Sequence, residues 1–288
     1  MFSGKETQLN HTDISPKRSL GQNFLVNLGV QKKVIAKMKE LVSKAPEDNI
    51  LEIGPGTGLL TQHLLNLKKP LLAMEIDNRA VEVLKKKFNH QNLLKIVQQD
   101  ALQEIHEPTE TLKHWQPFTL LSNLPFNVGS RILVDLAINF PQTSFSVILQ
   151  KEVAQKLATD DITFFGAWCR LFWDCKLEFV IAKNNFLPAP KVDAALVSGM
   201  SLTAKKDSQN WICELDLEAR QTICRIIKQL FVHPRKSLKN NLLNLSWTKP
   251  QVDSFMIKSG LSDNTRLTFE NYKNIIKEVY FFDKNIDV

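Results

Sequence analysis

Asn123-Leu124-Pro125-Phe126 follows an apolar run, and these residue types in this order can hold the exocyclic amine of a nucleobase. An aromatic amine is a poor nucleophile because its lone pair is delocalised into the ring. A catalyst must therefore hold both amine hydrogens while leaving the nitrogen open to an electrophile. The Asn123 side-chain oxygen and the Leu124 carbonyl, fixed by Pro125, can accept those hydrogens. Phe126 can then stack on the base, a contact worth roughly 1–3 kcal/mol in single-stranded recognition. The same four residues also suit an ordinary turn after a strand, since Asn and Pro favour turns in any fold. Methyl transfer to a base is the sharper reading, and it needs a second site to supply the electrophile.

Leu51-Glu52-Ile53-Gly54-Pro55-Gly56-Thr57-Gly58 meets that need. Three glycines stand between an apolar run and a helical stretch, where backbone can approach a ligand closely. The spacing is GxGxG, which is not the dinucleotide fingerprint, and no Gly-Lys-Ser/Thr follows, which excludes a P-loop. Glu75 closes the next apolar run, where a carboxylate can accept both hydroxyls of a ribose. Asp100 closes the third, where it can accept from an adenine amine. Each piece has a structural alternative, because glycine turns are common in βα units and acids at strand ends often cap helices. Together, in this order, they describe an adenosine-bearing ligand without a pyrophosphate. S-adenosylmethionine fits, and its sulfonium is the electrophile that the Asn-Leu-Pro-Phe site requires.

The elements that must position these residues follow from periodicity. Apolar positions recur at helical spacing from Asn27 to Lys44, with Lys32, Lys33, Lys37 and Lys39 between them, which predicts a basic amphipathic helix. Short apolar runs then alternate with helical stretches: Ile50–Ile53 and Leu59–Leu67, Leu71–Ile76 and Arg79–Phe88, Leu94–Gln98, Phe118–Ser122 and Ser130–Ile138, Phe145–Leu149 and Glu152–Leu157. Repeated βα units predict a mainly parallel, doubly wound α/β sheet. Lys176–Ala182 and Ala194–Met200 follow without a long crossover, so an antiparallel hairpin ends the sheet. Residues 1–16 are polar and unpatterned and are expected to be disordered. The composition shifts at the polar stretch 203–210, which divides a domain at 17–202 from a helical one at 203–288, with Pro234 breaking one helix and opening the next.

At 288 residues and 43% hydrophobic, the chain can bury a full core. No apolar run approaches the roughly 20 residues that span a bilayer, and the polar start lacks the apolar segment of a secretory signal, so a cytoplasmic protein without membrane contact is expected. Cys169, Cys175, Cys213 and Cys224 form no CxxC pair and are expected to be reduced core residues without metal. Lys plus Arg exceed Asp plus Glu by 37 to 30, a net charge of +7. That excess suits a polyanionic partner, although a solvated surface gives the same balance.

Five stretches resemble the rRNA adenine N6,N6-dimethyltransferases of the KsgA type. They are Lys17-Arg18-Ser19-Leu20-Gly21-Gln22-Asn23-Phe24-Leu25, the glycine loop with Glu52, Asp100-Ala101, Asn123-Leu124-Pro125-Phe126-Asn127, and Phe186-Leu187-Pro188-Ala189-Pro190-Lys191-Val192-Asp193. The resemblance spans roughly residues 16 to 198 and continues loosely through Arg235-Lys236-Ser237-Leu238. It implies a Rossmann-like class I methyltransferase with a seven-stranded sheet and a small all-α domain that binds RNA. It also implies an N-terminal segment folded over S-adenosylmethionine, so that Gln22, Asn23 and Leu25 join Gly54, Gly56, Gly58, Glu75, Ile76, Asp100, Ala101 and Asn123 in binding it. Catalysis would fall to Asn123, Leu124, Pro125 and Phe126, with Phe186 clamping the target adenine opposite Phe126. The implied substrate is a pair of adjacent adenosines in the 3′-terminal hairpin loop of small-subunit (16S) rRNA, within an assembling 30S subunit, acted on by a monomer. Arg235, Lys236 and Lys239 would contact RNA phosphates.

Three departures stand out. Many members carry Tyr where this chain has Phe126, the stretch Phe164–Arg170 is bulkier than usual, and His233-Pro234-Arg235-Lys236 keeps only part of a more basic run. Two rivals share the architecture: a large-subunit rRNA methyltransferase conferring macrolide-type resistance, and a non-catalytic assembly or transcription factor.

Overall fold

A computed structural model describes residues 14–17, 20–160, 162–202 and 211–285. Residues 1–13 of the tail, Arg18 and Ser19 of the first motif, the stretch 203–210 and the side chain of Cys213 lie outside the described residues. Ile14 is buried, so the end of the polar tail is packed where disorder is expected from sequence.

The chain opens with a two-residue strand, β1 (Phe24–Leu25), and the helix α1 (Leu28–Val42), capped by Asn27 Oδ1, which accepts from Val30 N at 3.1 Å. Val34, Met38 and Leu41 form the buried face of α1, and its lysines lie between them. There follow β2 (Asn49–Ile53), the short α2 (Thr61–Leu64), β3 (Leu71–Glu75), α3 (Asn78–Lys87) and β4 (Leu94–Gln98). Then come α4 (Ala101–His106), α5 (Glu110–Trp115), β5 (Phe118–Asn123), α6 (Gly129–Asn139), β6 (Phe145–Gln150) and α7 (Lys151–Ala158). After α8 (Phe164–Phe172), the strands β7 (Trp173–Ile181), β8 (Phe186–Leu187) and β9 (Ala194–Ser201) complete the sheet region.

Seven strands form one sheet in the order β4-β3-β2-β5-β6-β9-β7. β2, β3, β5 and β6 are near-continuous apolar runs because helices cover both faces of a parallel sheet. β9 inserts antiparallel between β6 and β7, so the hairpin expected from sequence closes one edge. From β2 the chain winds outward to β3 and β4, then returns to β5 on the other side of β2. The order therefore reverses between β2 and β5, and at such a switch point a crevice opens outside the carboxyl ends of the strands. The glycine loop leaves β2 and the Asn-Leu-Pro-Phe motif leaves β5, so the fold sets them side by side there.

The C-terminal region holds α9 (Leu217–Leu230), α10 (Leu238–Leu242), α11 (Lys249–Lys258) and α12 (Tyr272–Lys284). Pro234 opens neither helix: it lies in the turn between Leu230 and Leu238. Ile223, Ile227 and Leu230 on α9 meet the same buried cluster as Leu120 and Phe145 of the sheet, so one apolar core runs through both regions. Trp168 and Phe172 also lie in that core, and Trp168 Nε1 donates to Val134 O at 3.1 Å. The bulk of the Phe164–Arg170 stretch is thus interior packing and presents little surface to RNA. Cys169 and Cys224 are buried and Cys175 half-buried, all free thiols. Burial pushes Cys175 up to about 12 and Cys224 up to about 11, which leaves them unreactive thiols at neutral pH. Among the described residues no helix is long and apolar enough to cross a membrane.

Candidate active site

Gly56 and Gly58 both have positive φ, +58° and +77°, the left-handed region that glycine enters without strain. They do different work. A Cβ on Gly56 would collide with the Phe24 ring of β1, whereas one on Gly58 would stand 2.5 Å from Phe88 Cε2 of the segment after α3. Gly56 brings backbone to the crevice; Gly58 lets the loop pack on α3 and does not line the cavity. Gly54 packs against Pro125, its added Cβ falling 3.4 Å from Pro125 Cγ, so the two loops of the switch point touch.

Glu75 is buried at the end of β3. Its Oε2 accepts from Gly56 N at 3.0 Å and its Oε1 from Asp77 N at 2.9 Å, and the Ile76 N–H is a third backbone donor to the carboxylate, which still leaves acceptor capacity for a ligand. Burial raises its pKa, against the lowering effect of those backbone donors. Asp100 is exposed and caps α4, Oδ1 accepting from Leu102 N at 2.9 Å, so it serves the helix while standing at the cavity wall. Asn123 ends β5. Its Nδ2 donates to Asn23 O at 2.8 Å, and its Oδ1 is buried with no hydrogen-bond partner among the described residues. Unpaired buried acceptors are costly, and a donor from a bound molecule would remove that cost. Behind this wall Glu52 is also buried, with Oε2 unpartnered among the described residues, and burial pushes its carboxyl up to about 8.

A segment running Leu20–Phe24 lies across the crevice as a cover. β1 at its end pairs antiparallel with β8, Phe24 opposite Leu187 and Leu25 opposite Phe186. The cavity beneath it measures about 190 Å³. Gln22, Asn23, Gly54, Gly56, Glu75, Ile76, Asp100, Ala101, Asn123, Leu124, Pro125 and Phe126 all line it. Leu25 and Phe186 do not; both side chains belong to the core cluster under α1. Phe186 is 3% exposed and meets Phe126 edge to face, ring centroids 6.2 Å apart and planes at 68°. A planar base does not fit between rings so arranged, and the clamp expected from resemblance is not formed in this structure. Gln99, Leu102, Asn127, Val128 and Ile132 line the cavity without having been singled out by sequence. Asn127 was within reach, since it closes the quoted motif; the others follow strand and helix ends whose side-chain directions no motif reveals.

The residues present fit S-adenosylmethionine. The glycine cradle, a strand-end carboxylate with acceptor capacity left, a second acid at the wall and an orphaned Asn oxygen make up a set of acceptors for the hydroxyls and amines of an adenosine and a target base. Arg235 and Lys236 are exposed in the turn before α10. Lys239 is engaged differently: its ammonium stands 3.0 Å from Asp253 and 2.8 Å from Asp263, and the hydrogen bond to Asp263 chiefly raises its pKa.

The family model for ribosomal RNA adenine dimethylase matches residues 14–284. Ribosomal RNA small subunit methyltransferase A of Sulfurihydrogenibium sp. (strain YO3AOP1) is 33% identical, covering 88% of this chain and 91% of its own length. The protein of that name from Mycoplasma capricolum subsp. capricolum is 30% identical, covering 92% of this chain and 97% of its own. In fold the chain is similar to a dimethyladenosine transferase from Plasmodium falciparum, with TM-score 0.64, 20% identity, and coverage of 91% and 98%. It is similar to the 23S rRNA methyltransferase ErmE as well, with TM-score 0.61, 20% identity, and coverage of 90% and 99%. The two solved structures bear on the fold alone, whereas the family match extends from the cover to the last helix, and on it the chain belongs to the ribosomal RNA adenine dimethylase family.

Proposed function

We propose that this chain transfers methyl groups from S-adenosylmethionine to N6 of adenosines in small-subunit rRNA, twice at each nitrogen. The observation that carries the reading is the orphaned Asn123 Oδ1 beside the glycine loop, at the switch point of the sheet. Gly54, Gly56, Glu75 and Asp100 would hold the cofactor, which when bound supplies an electrophilic methyl group. Asn123 Oδ1 and the Leu124 carbonyl accept the two amine hydrogens and orient the nitrogen lone pair toward that methyl. Phe126 stacks on one face of the base, which must leave its helix or loop stack to reach the site. The cover excludes water. Positioning supplies most of the acceleration, and no strong base is required because N6 becomes acidic once methylated.

The substrate in this proposal is the pair of adjacent adenosines in the 3′-terminal hairpin loop, presented by an assembling 30S subunit to a monomeric enzyme. The C-terminal region contributes RNA contacts through Arg235 and Lys236 in the turn before α10. Incubation of the protein and S-adenosylmethionine with immature small subunits, followed by mass spectrometry of the nucleosides, should yield N6,N6-dimethyladenosine. Methylation of protein-free large-subunit rRNA instead would overturn the substrate assignment.

A further inference from the structure

The cover is fastened at two ends. On one side Asn23 O accepts from Asn123 Nδ2, and Gly21 lies against the catalytic loop, an added Cβ there standing 2.5 Å from Asn127 Oδ1. On the other side Gln22 Nε2 donates to Asp77 Oδ2 at 3.3 Å, and the Lys17 ammonium stands 4.0 Å from Asp77 Oδ1. Gln22 Oε1 accepts from Lys17 N at 2.7 Å, so both ends of its amide are held within the protein.

Asp77 is buried beyond the cavity wall. The Arg79 side chain grips both of its oxygens, Nε to Oδ1 at 3.1 Å and Nη2 to Oδ2 at 2.6 Å, and Arg79 N completes the α3 cap at 3.2 Å. The hydrogen bond from Arg79 holds the Asp77 carboxyl down to about 2, so it stays charged over any working pH. Asp77 N in turn donates to Glu75 Oε1, whose other oxygen receives Gly56 N. One short chain of bonds therefore runs from the glycine loop through Glu75 and Asp77 to Gln22 on the cover.

The geometry points to Asp77 as a positioning residue that latches the cover across the cofactor, with Gln22 as the catch on the cover itself. The inference rests on the S-adenosylmethionine reading and reassigns Gln22, whose partner is the Asp77 carboxylate and not the cofactor. A two-residue strand such as β1 holds a segment weakly, so a separate fastening is needed. The Arg79 fork fixes the carboxylate plane in advance, which presents Oδ2 to the cover at little further cost in side-chain freedom. A hydrogen bond to a charged group is among the stronger single contacts available for that task.

The test is calorimetric binding of S-adenosylmethionine to the full chain and to Gln22→Ala, Asp77→Asn and the double variant. Asn caps helices as well as Asp does, so Asp77→Asn retains α3, and Gln22→Ala touches neither sheet nor helix. Each single variant should weaken binding roughly tenfold, with kcat at saturating cofactor within about threefold of wild type. The double variant should be no weaker than the singles within about threefold, as two halves of one contact require. Cofactor-induced protection of amides 20–24 from hydrogen exchange should fall in all three. Losses that multiply in the double variant would overturn the latch, and so would an unchanged Gln22→Ala. A loss in Gln22→Ala with none in Asp77→Asn would make Gln22 a direct cofactor ligand, which also overturns it. Should Asp77→Asn fail to fold, Asp77→Ser, which also caps α3 and removes the carboxylate, takes its place in the comparison. If wild-type protein does not bind S-adenosylmethionine, the functional reading itself fails; binding with indifferent variants sinks only the latch.

Discussion

Asn123 carries two bonds of unequal consequence. The Nδ2 bond to Asn23 fastens the cover, and the unpartnered Oδ1 is what the proposed amine would satisfy. Asn123→Ala should lower the transfer rate by roughly 10²–10³, the scale seen when one preorganised polar group is removed from a reacting centre. The lost cover bond is worth only about 1 kcal/mol, so cofactor affinity should fall a few-fold at most. Single-turnover methylation and calorimetry on one preparation would separate the two; transfer that survives the substitution would remove Asn123 from the mechanism. Glu52 makes a different prediction. Its folded carboxyl titrates near 8, well above its ordinary value of 4.5, so between those values the folded chain binds more protons than the unfolded one. Stability from this group is full below about 4.5 and is lost as pH rises through about 8. Glu52→Gln, which keeps the shape and removes the charge, should flatten the decline in urea midpoint between pH 5 and pH 9. At this scale residue types were legible where chemistry dictates them, as at Asn123 and Glu75. Phe186 was not: an aromatic before two prolines suggests an exposed ring, and only the pairing of β8 with β1 turns it into the core.

The glycine loop and the cover act as one element pair. Gly56→Ala would place a methyl inside the Phe24 ring and force an L-residue into the left-handed region, a strain of roughly 1–3 kcal/mol. Since Phe24 belongs to β1, the cover must shift, and cofactor affinity should fall at least about tenfold. Gly58→Ala is strained to a similar degree, but its methyl meets Leu84 and Phe88 on the far side of the loop. It should lower the thermal midpoint while changing cofactor affinity far less. Equal affinity losses in the two variants would contradict the division of work between these glycines. The strands and most helices around this pair were readable from periodicity, because a parallel sheet covered on both faces demands continuous apolar runs. β1 and β8 were not, since two residues are too few to show a period. The helices α4 and α5 were missed for a related reason: at six residues each they carry little more than one turn of pattern.

Across the whole molecule, the polar stretch at 203–210 predicts two domains, yet the buried cluster passes without a break from Phe145 to Ile227 and Tyr280. Periodicity tells which face of a helix is apolar but not which surface it will meet, so a shared core is invisible before the structure is known. Arg220 Nε reinforces the junction, donating to Ile138 O at 2.6 Å. The net charge of +7 is similarly undirected until its members are located. Lys32, Lys33 and Lys39 are exposed on α1, and Arg235 and Lys236 on the turn before α10, whereas Lys37 pairs with Glu40 and Glu178 and Lys239 with Asp253 and Asp263. Under the proposed function, cations that meet phosphates release counterions, and each phosphate neutralised adds about 0.9 to the slope of log affinity against log salt. Replacing Arg235 and Lys236 by Ala should therefore reduce that slope by about 1–2 for binding to rRNA, with affinity lost most at low salt. Lys239→Ala should leave the slope unchanged, because two carboxylates already neutralise that ammonium. Fluorescence anisotropy titrations across a salt series would decide the matter. A slope reduced by Lys239→Ala and untouched by the Arg235 and Lys236 changes would place the phosphate contact on the α10 face instead of the turn that precedes it.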